Sequence, residues 1–194
     1  RYSDQQMDAL RDGDLGACFG AGFDTLAMQR AETLPSGRMR LVHRVVDIQA
    51  PHDGQPGRII GEADIHRDDW FLTCHFIDDQ VMPGTLMYEC CLHTLRIYLL
   101  RMGWVGEQGQ VAYQSVPGVC GKLKCRGQVI ASTRTVCYQI SIVKTDFMDD
   151  GTPYAIANAL MFADGHPIVE MHNMSLSLHG LRREHIEALW HSAP

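Results

Sequence analysis

The stretch from Trp70 to Trp104, WFLTCHFIDDQVMPGTLMYECCLHTLRIYLLRMGW, constrains the fold of this chain more than any other. Between Gly84 and Gly103 it holds neither proline nor glycine, and strong helix formers dominate it. The pattern therefore predicts a helix of about five turns beginning near Pro83. Leu86, Cys90, Cys91, Leu92, Leu95, Ile97, Leu99 and Leu100 spread over several faces of that helix, so other structure is expected to wrap it. Glu89 is its single carboxylate, and burial there would desolvate the carboxyl and raise its pKa.

The flanking segments read mostly as strands. Residues 39–50 (MRLVHRVVDIQA) and 58–65 (RIIGEADI) are extended candidates separated by a turn-rich connection. After the helix come four more candidates: residues 119–130, 133–144, 154–162 and 167–178. Asp164-Gly165 favours a tight hairpin between the last two. Met174-Ser175-Leu176-Ser177-Leu178 alternates cleanly, which predicts one buried and one wet face. Strands gathered around a single long helix point to an α+β fold with an antiparallel sheet. The lengths agree, because eighteen helical residues span about 27 Å and strands of eight to ten residues about 26–34 Å. Residues 1–37 read as an arm, with a short helix near Gln5 to Arg11 and aromatics packing onto the domain. Residues 38–180 form the domain, and residues 181–194 a C-terminal helix or linker. The glycines of the arm make a poor phosphate loop, since no Lys-Ser/Thr follows and no strand precedes.

At 194 residues the chain suits one domain. With 23 acidic against 17 basic residues, its formal charge of -6 argues against nucleic acid as a partner. No run reaches the roughly 18 apolar residues of a membrane span, so no membrane partner is expected. Seven cysteines include no Cys-x-x-Cys pair and no zinc-finger spacing with histidine, and they read as reduced thiols in a cytoplasmic protein. No metal site or cofactor is expected. A start at Arg1 with no signal-type segment reads as a domain excised from a longer polypeptide.

The chemistry concentrates around the start of the helix. Cys74-His75-Phe76, Asp79, Val81-Met82-Pro83-Gly84, Leu86 and Glu89 resemble the active-site motif of the hot-dog-fold β-hydroxyacyl-(acyl carrier protein) dehydratases. Leu34-Pro35 with Arg44-Val45, Gly127-Gln128-Val129 and Ala163-Asp164-Gly165 extend the resemblance over roughly residues 15 to 180. Removing water from a β-hydroxyacyl thioester needs a base, an acid and donors for the charge on the thioester oxygen. The resemblance implies His75 as the base, Glu89 as the acid and the Gly84 amide as the oxyanion donor. It also implies Pro83, Asp79 and His93 as supporting neighbours. Because the histidine of one hot-dog unit usually faces the acid of another, a homodimer or a tandem hot-dog partner is implied. A substrate carried on acyl carrier protein is implied too, received by a basic patch of Lys122, Lys124, Arg126 and Arg134; a solvated strand face is the plainer reading of that patch.

The pattern is mixed within the family. Glu89 is similar to the dehydration-only branch, while Cys-His-Phe and the long arm resemble the dehydratase-isomerases, and Asp78-Asp79-Gln80 stands where that branch has Gly-Asp-Pro. Such a mixture is similar to dehydratase domains embedded in polyunsaturated fatty acid or polyketide synthases, and isomerisation stays open. A hot-dog thioesterase and a silent docking or dimerising domain are the alternatives. A single loop histidine is ordinarily structural, and Glu89 could simply pair with His93 or Arg96. No base is assigned to Cys74, Cys90 or Cys91, so a thiol mechanism is set aside.

Overall fold

The computed structural model describes residues 1–76 and 78–191. Its centre is α4 (Gly84–Arg101), whose limits follow the breakers at Pro83 and Gly103. Around it lies one antiparallel sheet built from β1 (Arg44–Gln49), β2 (Arg58–Asp64), β3 (Ala112–Gln114), β4 (Lys122–Cys125), β5 (Thr135–Phe147), β6 (Pro153–Ala163) and β7 (His166–His179). The order is β1-β2-β5-β6-β7-β3, with β4 also pairing β7. Strands β2, β5, β6 and β7 pack against α4.

Sequence alternation explains this layering. On β5, Val136, Tyr138, Ile140 and Ile142 point inward, and on β6 Ala155, Ala157, Ala159, Met161 and Ala163 do the same. The alanines leave room for the bulkier helix. At Gly61 on β2 an added methyl would come within 3.2 Å of Thr94 and 3.0 Å of Val42, a tight fit that glycine avoids where β2 lies against α4. Asp164 (φ 48°) and Gly165 (φ 81°) both adopt the left-handed conformation of the tight hairpin between β6 and β7. Irregularities in register at Val45/Asp47, Ile142/Lys144 and Ala157/Ala159 add local bends to the sheet.

Several expectations need correction. Only Arg44–Gln49 of residues 39–50 is strand; Gly37–Met39 form a 3-10 turn, and Leu41 and Val42 are buried without sheet pairing. The candidate at 119–130 contracts to β4, all four of whose residues are exposed. The segment between α4 and β4 contains β3, giving five strands after the helix among the described residues instead of four. The serines of β7 are not wet. Ser175 Oγ accepts a hydrogen bond from Val116 N (3.1 Å), and Ser177 Oγ donates one to Gln114 O (3.0 Å), so the chain leading from β3 covers them.

The wrapping of α4 is also incomplete. Thr85, Tyr88, Glu89, Leu92 and Arg96, spaced i, i+3, i+4, i+7 and i+11, retain solvent access and form one open stripe. A single sheet covers one side of a helix.

Two terminal pieces close the other end. Helix α1 (Asp4–Arg11) begins with a capping box between Ser3 and Gln6 and buries Met7 and Leu10 completely. Helix α2 (Leu15–Phe19) leads into an aromatic chain, Tyr2–Phe19–Phe23–Trp190, with successive centroids 5.2, 4.9 and 5.0 Å apart. Trp190 belongs to α5 (Arg183–His191) and donates to the Gly103 carbonyl at 2.8 Å. No described helix is long and apolar enough to cross a membrane.

Candidate active site

His75 caps the short helix α3 (Trp70–Cys74) at its C-terminal end. Its Nδ1 lies 3.0 Å from the Val81 carbonyl, and its own carbonyl accepts from Val81 N at 3.0 Å. A carbonyl can only accept, so Nδ1 carries the hydrogen and the lone pair sits on Nε2. The ring is half-buried against Phe76, 4.1 Å away between centroids, and Phe76 is itself 61% exposed. The loop is pinned to the segment between β4 and β5, with Met82 N donating to Val129 O (2.9 Å) and Val81 bridging Ile130. Asp79 is exposed in this loop, its amide donating to Phe76 O at 3.2 Å.

Two residues past Met82, α4 starts. Pro83 stands at the cap position and no side chain caps the helix. The first intrahelical bond is Met87 N to Pro83 O, so the amides of Gly84, Thr85 and Leu86 have no partner from the helix. Gly84 has no positive φ, and a Cβ there would meet only Cys125 Sγ at an ordinary 3.8 Å. Neither backbone nor packing within the chain requires glycine. A group approaching the bare amides from outside would.

Glu89 sits on the open stripe, about 7.5 Å along the axis from Gly84 by helical rise. The expectation of a desolvated, easily protonated acid is not met in the single chain. Its side chain is 39% exposed, and buried His93 donates from Nε2 to Glu89 Oε1 at 3.1 Å. That hydrogen bond, outweighing the opposing effect of burial, holds the carboxyl below its ordinary range, with Arg96 adding to it. The helix is apolar nearly all round, but the sheet leaves this stripe uncovered.

The thiols of α4 are unsuited to catalysis. Burial pushes Cys90 up to about 12 and raises Cys91 well above the ordinary thiol range. All seven cysteines are unpaired. Lys122, Lys124 and Arg126 share the β4 edge, with Lys124 and Arg126 lying 3.8 and 3.9 Å from Glu170. Arg134 stands in the turn before β5, its amide bound to Asp164. Cavities of about 260 Å³ beside Met82 and about 290 Å³ beside Tyr88 flank the region, and neither includes His75, Gly84 or Glu89. Those three face outward.

Sequence reasoning passed over one cluster behind the open stripe. Glu32 is 5% exposed; its Oε2 accepts from the Tyr113 hydroxyl at 2.5 Å and its Oε1 from Gly106 N at 3.1 Å. Arg96 lies over the Tyr113 ring, 3.9 Å from its centroid. No periodicity in the arm marks Glu32, and the segment around Tyr113 reads only as a polar connection.

A long helix held in one antiparallel sheet is the architecture of a hot-dog domain. The chain belongs to the FabA-like family of hot-dog dehydratases, its residues 34–172 matching the FabA-like domain. It is 31% identical over 161 residues to one of the subunits of the polyunsaturated fatty acid synthase of Thraustochytrium sp., covering 80% of this chain and 10% of that protein. The chain thus spans about a tenth of that relative's length. Among solved structures, the dehydratase heterocomplex ApeI:P from Xenorhabdus doucetiae superposes with TM-score 0.52 at 12% identity, covering 80% of this chain and 91% of the other. A hypothetical thioesterase from Streptococcus pneumoniae, solved with coenzyme A, gives TM-score 0.44 at 7% identity over 70% of this chain and 90% of its own.

Proposed function

We propose that this domain removes water from a β-hydroxyacyl thioester carried on acyl carrier protein, giving the trans-2-enoyl thioester. The carrying observation is the His75 tautomer. Its Nδ1–H is committed to the Val81 carbonyl, which leaves a basic Nε2 on the loop that runs straight into the bare amides of α4. In this reading Nε2 takes the proton from C2, and the electron pair moves toward the thioester oxygen, held by the Gly84 N–H. Glu89 then gives a proton to the C3 hydroxyl, which leaves as water as the C2–C3 double bond forms. Exchange with solvent returns both groups to their starting states.

Glu89 needs a proton for this task, and the single chain favours its charged form. A second hot-dog unit seated on the open stripe, together with the acyl chain, would dry the carboxyl and raise its pKa. Exposed Phe76, Leu123 and Ile130 supply apolar surface for such a partner, either a second copy or a tandem domain. His75 and Glu89 of one chain would then serve different sites, and Pro83, Asp79 and His93 would shape them. Lys122, Lys124 and Arg126, with Arg134, would receive the acidic carrier protein. Unpaired thiols suit a reducing, cytoplasmic setting.

The test is turnover of a β-hydroxyacyl thioester, followed as loss of water by mass spectrometry. His75→Ala and Glu89→Gln are each expected to lower it by about 10²–10⁴-fold. Unchanged turnover in both variants would sink the assignment.

A further inference from the structure

Behind the open stripe the arm and the catalytic helix meet through a chain of polar groups. Glu89, His93 and Arg96 follow one another at i, i+4 and i+7 on α4, so the three share one side of the helix. His93 contacts Glu89 directly at 3.1 Å. On its other side the Arg96 guanidinium stacks on Tyr113 at 3.9 Å, and Tyr113 donates to Glu32 at 2.5 Å. Arg96 also donates to the Thr33 carbonyl at 3.4 Å, beside Glu32 in the arm. The charge of Arg96 thus acts on two carboxylates, Glu89 on the open stripe and Glu32 in the arm.

Neither end is decorative. Glu32 is buried where a carboxylate is costly, and the Gly106 amide and the Tyr113 hydroxyl both point at it. Among the described residues Arg96 Nε is buried with no hydrogen-bond partner, so the guanidinium is held by the ring and the arm but not saturated. Its charge bears on both acids, drawing each toward the ionised form. The groups facing Glu89 are His93, Arg96 and Tyr88 on α4; Tyr113 of β3 and Glu32 of the arm act on it through Arg96.

We propose that Arg96 is a positioning residue for Glu89, and that the Glu32–Tyr113 pair sets how closely its guanidinium approaches that carboxylate. The arm then belongs to the catalytic apparatus. Drawn toward Glu32, Arg96 leaves Glu89 able to accept a proton; released, it would lean toward Glu89 and keep it ionised. The catalytic meaning rests on the dehydration reading, whereas the coupling between the two glutamates does not.

The experiment follows Glu89 itself by carbon-13 NMR of glutamate carboxyls in the 194-residue chain, across a pH titration, beside the pH profile of kcat. Arg96→Gln is expected to move the Glu89 midpoint up, Arg96→Lys to keep most of the wild-type position, and Glu32→Gln to move it down. In Glu32→Gln the alkaline limb of kcat should fall with it while KM holds. Tyr113→Phe, which keeps the stacked ring and loses only the hydroxyl, should shift the midpoint in the same direction as Glu32→Gln and less far. It covers the case in which Glu32→Gln fails to fold. A Glu89 midpoint unmoved in Arg96→Gln, or unmoved in both Glu32→Gln and Tyr113→Phe, overturns the proposal. Full turnover in both His75→Ala and Glu89→Gln would instead overturn the dehydration reading, and the NMR titration would still read the coupling.

Discussion

The two sides of α4 are cut from one helix and lead opposite lives. Its back, with Cys90, Thr94, Leu95, Ile97 and Tyr98, is sealed by the sheet, and Glu32 of the arm is buried too. Its front carries Glu89 on a stripe that the chain leaves open. Each region holds one glutamate, and their environments shift them in opposite directions. Burial raises Glu32 above the ordinary carboxylate range, while the His93 hydrogen bond lowers Glu89. Covering is thus a property of position around the helix and not of how apolar the helix is.

The strongest test of that contrast is to delete the same side chain on each side. Leu95 is fully buried among the sheet residues, so Leu95→Ala should cost about 2–5 kcal/mol in urea unfolding. Leu92 keeps solvent access on the open stripe, and Leu92→Ala should cost about 1 kcal/mol or less in the single chain. Equal losses would mean the front is already covered. A loss at Leu92 that grows with protein concentration would show a second copy sealing it.

The glutamates give the next largest difference. Glu32→Ala leaves the Tyr113 hydroxyl and the buried Gly106 amide without their partner and should cost about 1–3 kcal/mol. Glu89→Ala removes only a part-exposed pair with His93 one turn away, of the kind worth about 0.3–0.5 kcal/mol. Thermal or urea melts of the two variants side by side read the difference directly. The order should reverse for turnover, where Glu89→Ala does the greater damage.

How much of this was legible follows from the kind of signal each feature leaves. The limits of α4 were readable because Pro83 and Gly103 punctuate an unbroken run of helix formers, and the last hairpin because Asp164-Gly165 demands left-handed backbone. Strand β3 was not, since three residues are too short for alternation to show, and β4 was overextended because its pairing with β7 stops at Cys125. The loop with His75 and the helix start with Gly84 stood out by residue type and order. The mistake over Glu89 has a physical source. Tyr88 and Leu92 on the open stripe are as apolar as the residues on the sealed side, so no periodicity distinguishes the two, and only the tertiary arrangement shows which side the sheet takes. Glu32 lies in an arm with no period at all, and its burial depends on Gly106 and Tyr113, residues more than seventy positions away.

The finest distinction between the two regions is in the sign of their pH dependence. Glu32 has a folded pKa above its unfolded value of about 4.3. Its contribution to stability is therefore complete below that value and is lost as pH rises through the folded pKa. Glu89 has a folded pKa below the same reference, so its contribution is present above about pH 4.3 and is lost as pH falls through the folded value. Urea midpoints measured from acid to neutral pH should show Glu32→Gln declining less than wild type on the alkaline side of that reference. Glu89→Gln should decline less on the acid side, and by a smaller amount, because solvent at the open stripe screens its interaction with His93. If a partner or a bound acyl chain dries the front of α4, the Glu89 curve should change sign and come to resemble that of Glu32. A Glu89 curve unchanged on assembly would mean that the carboxylate stays wet, and that its proton must come from another source than burial.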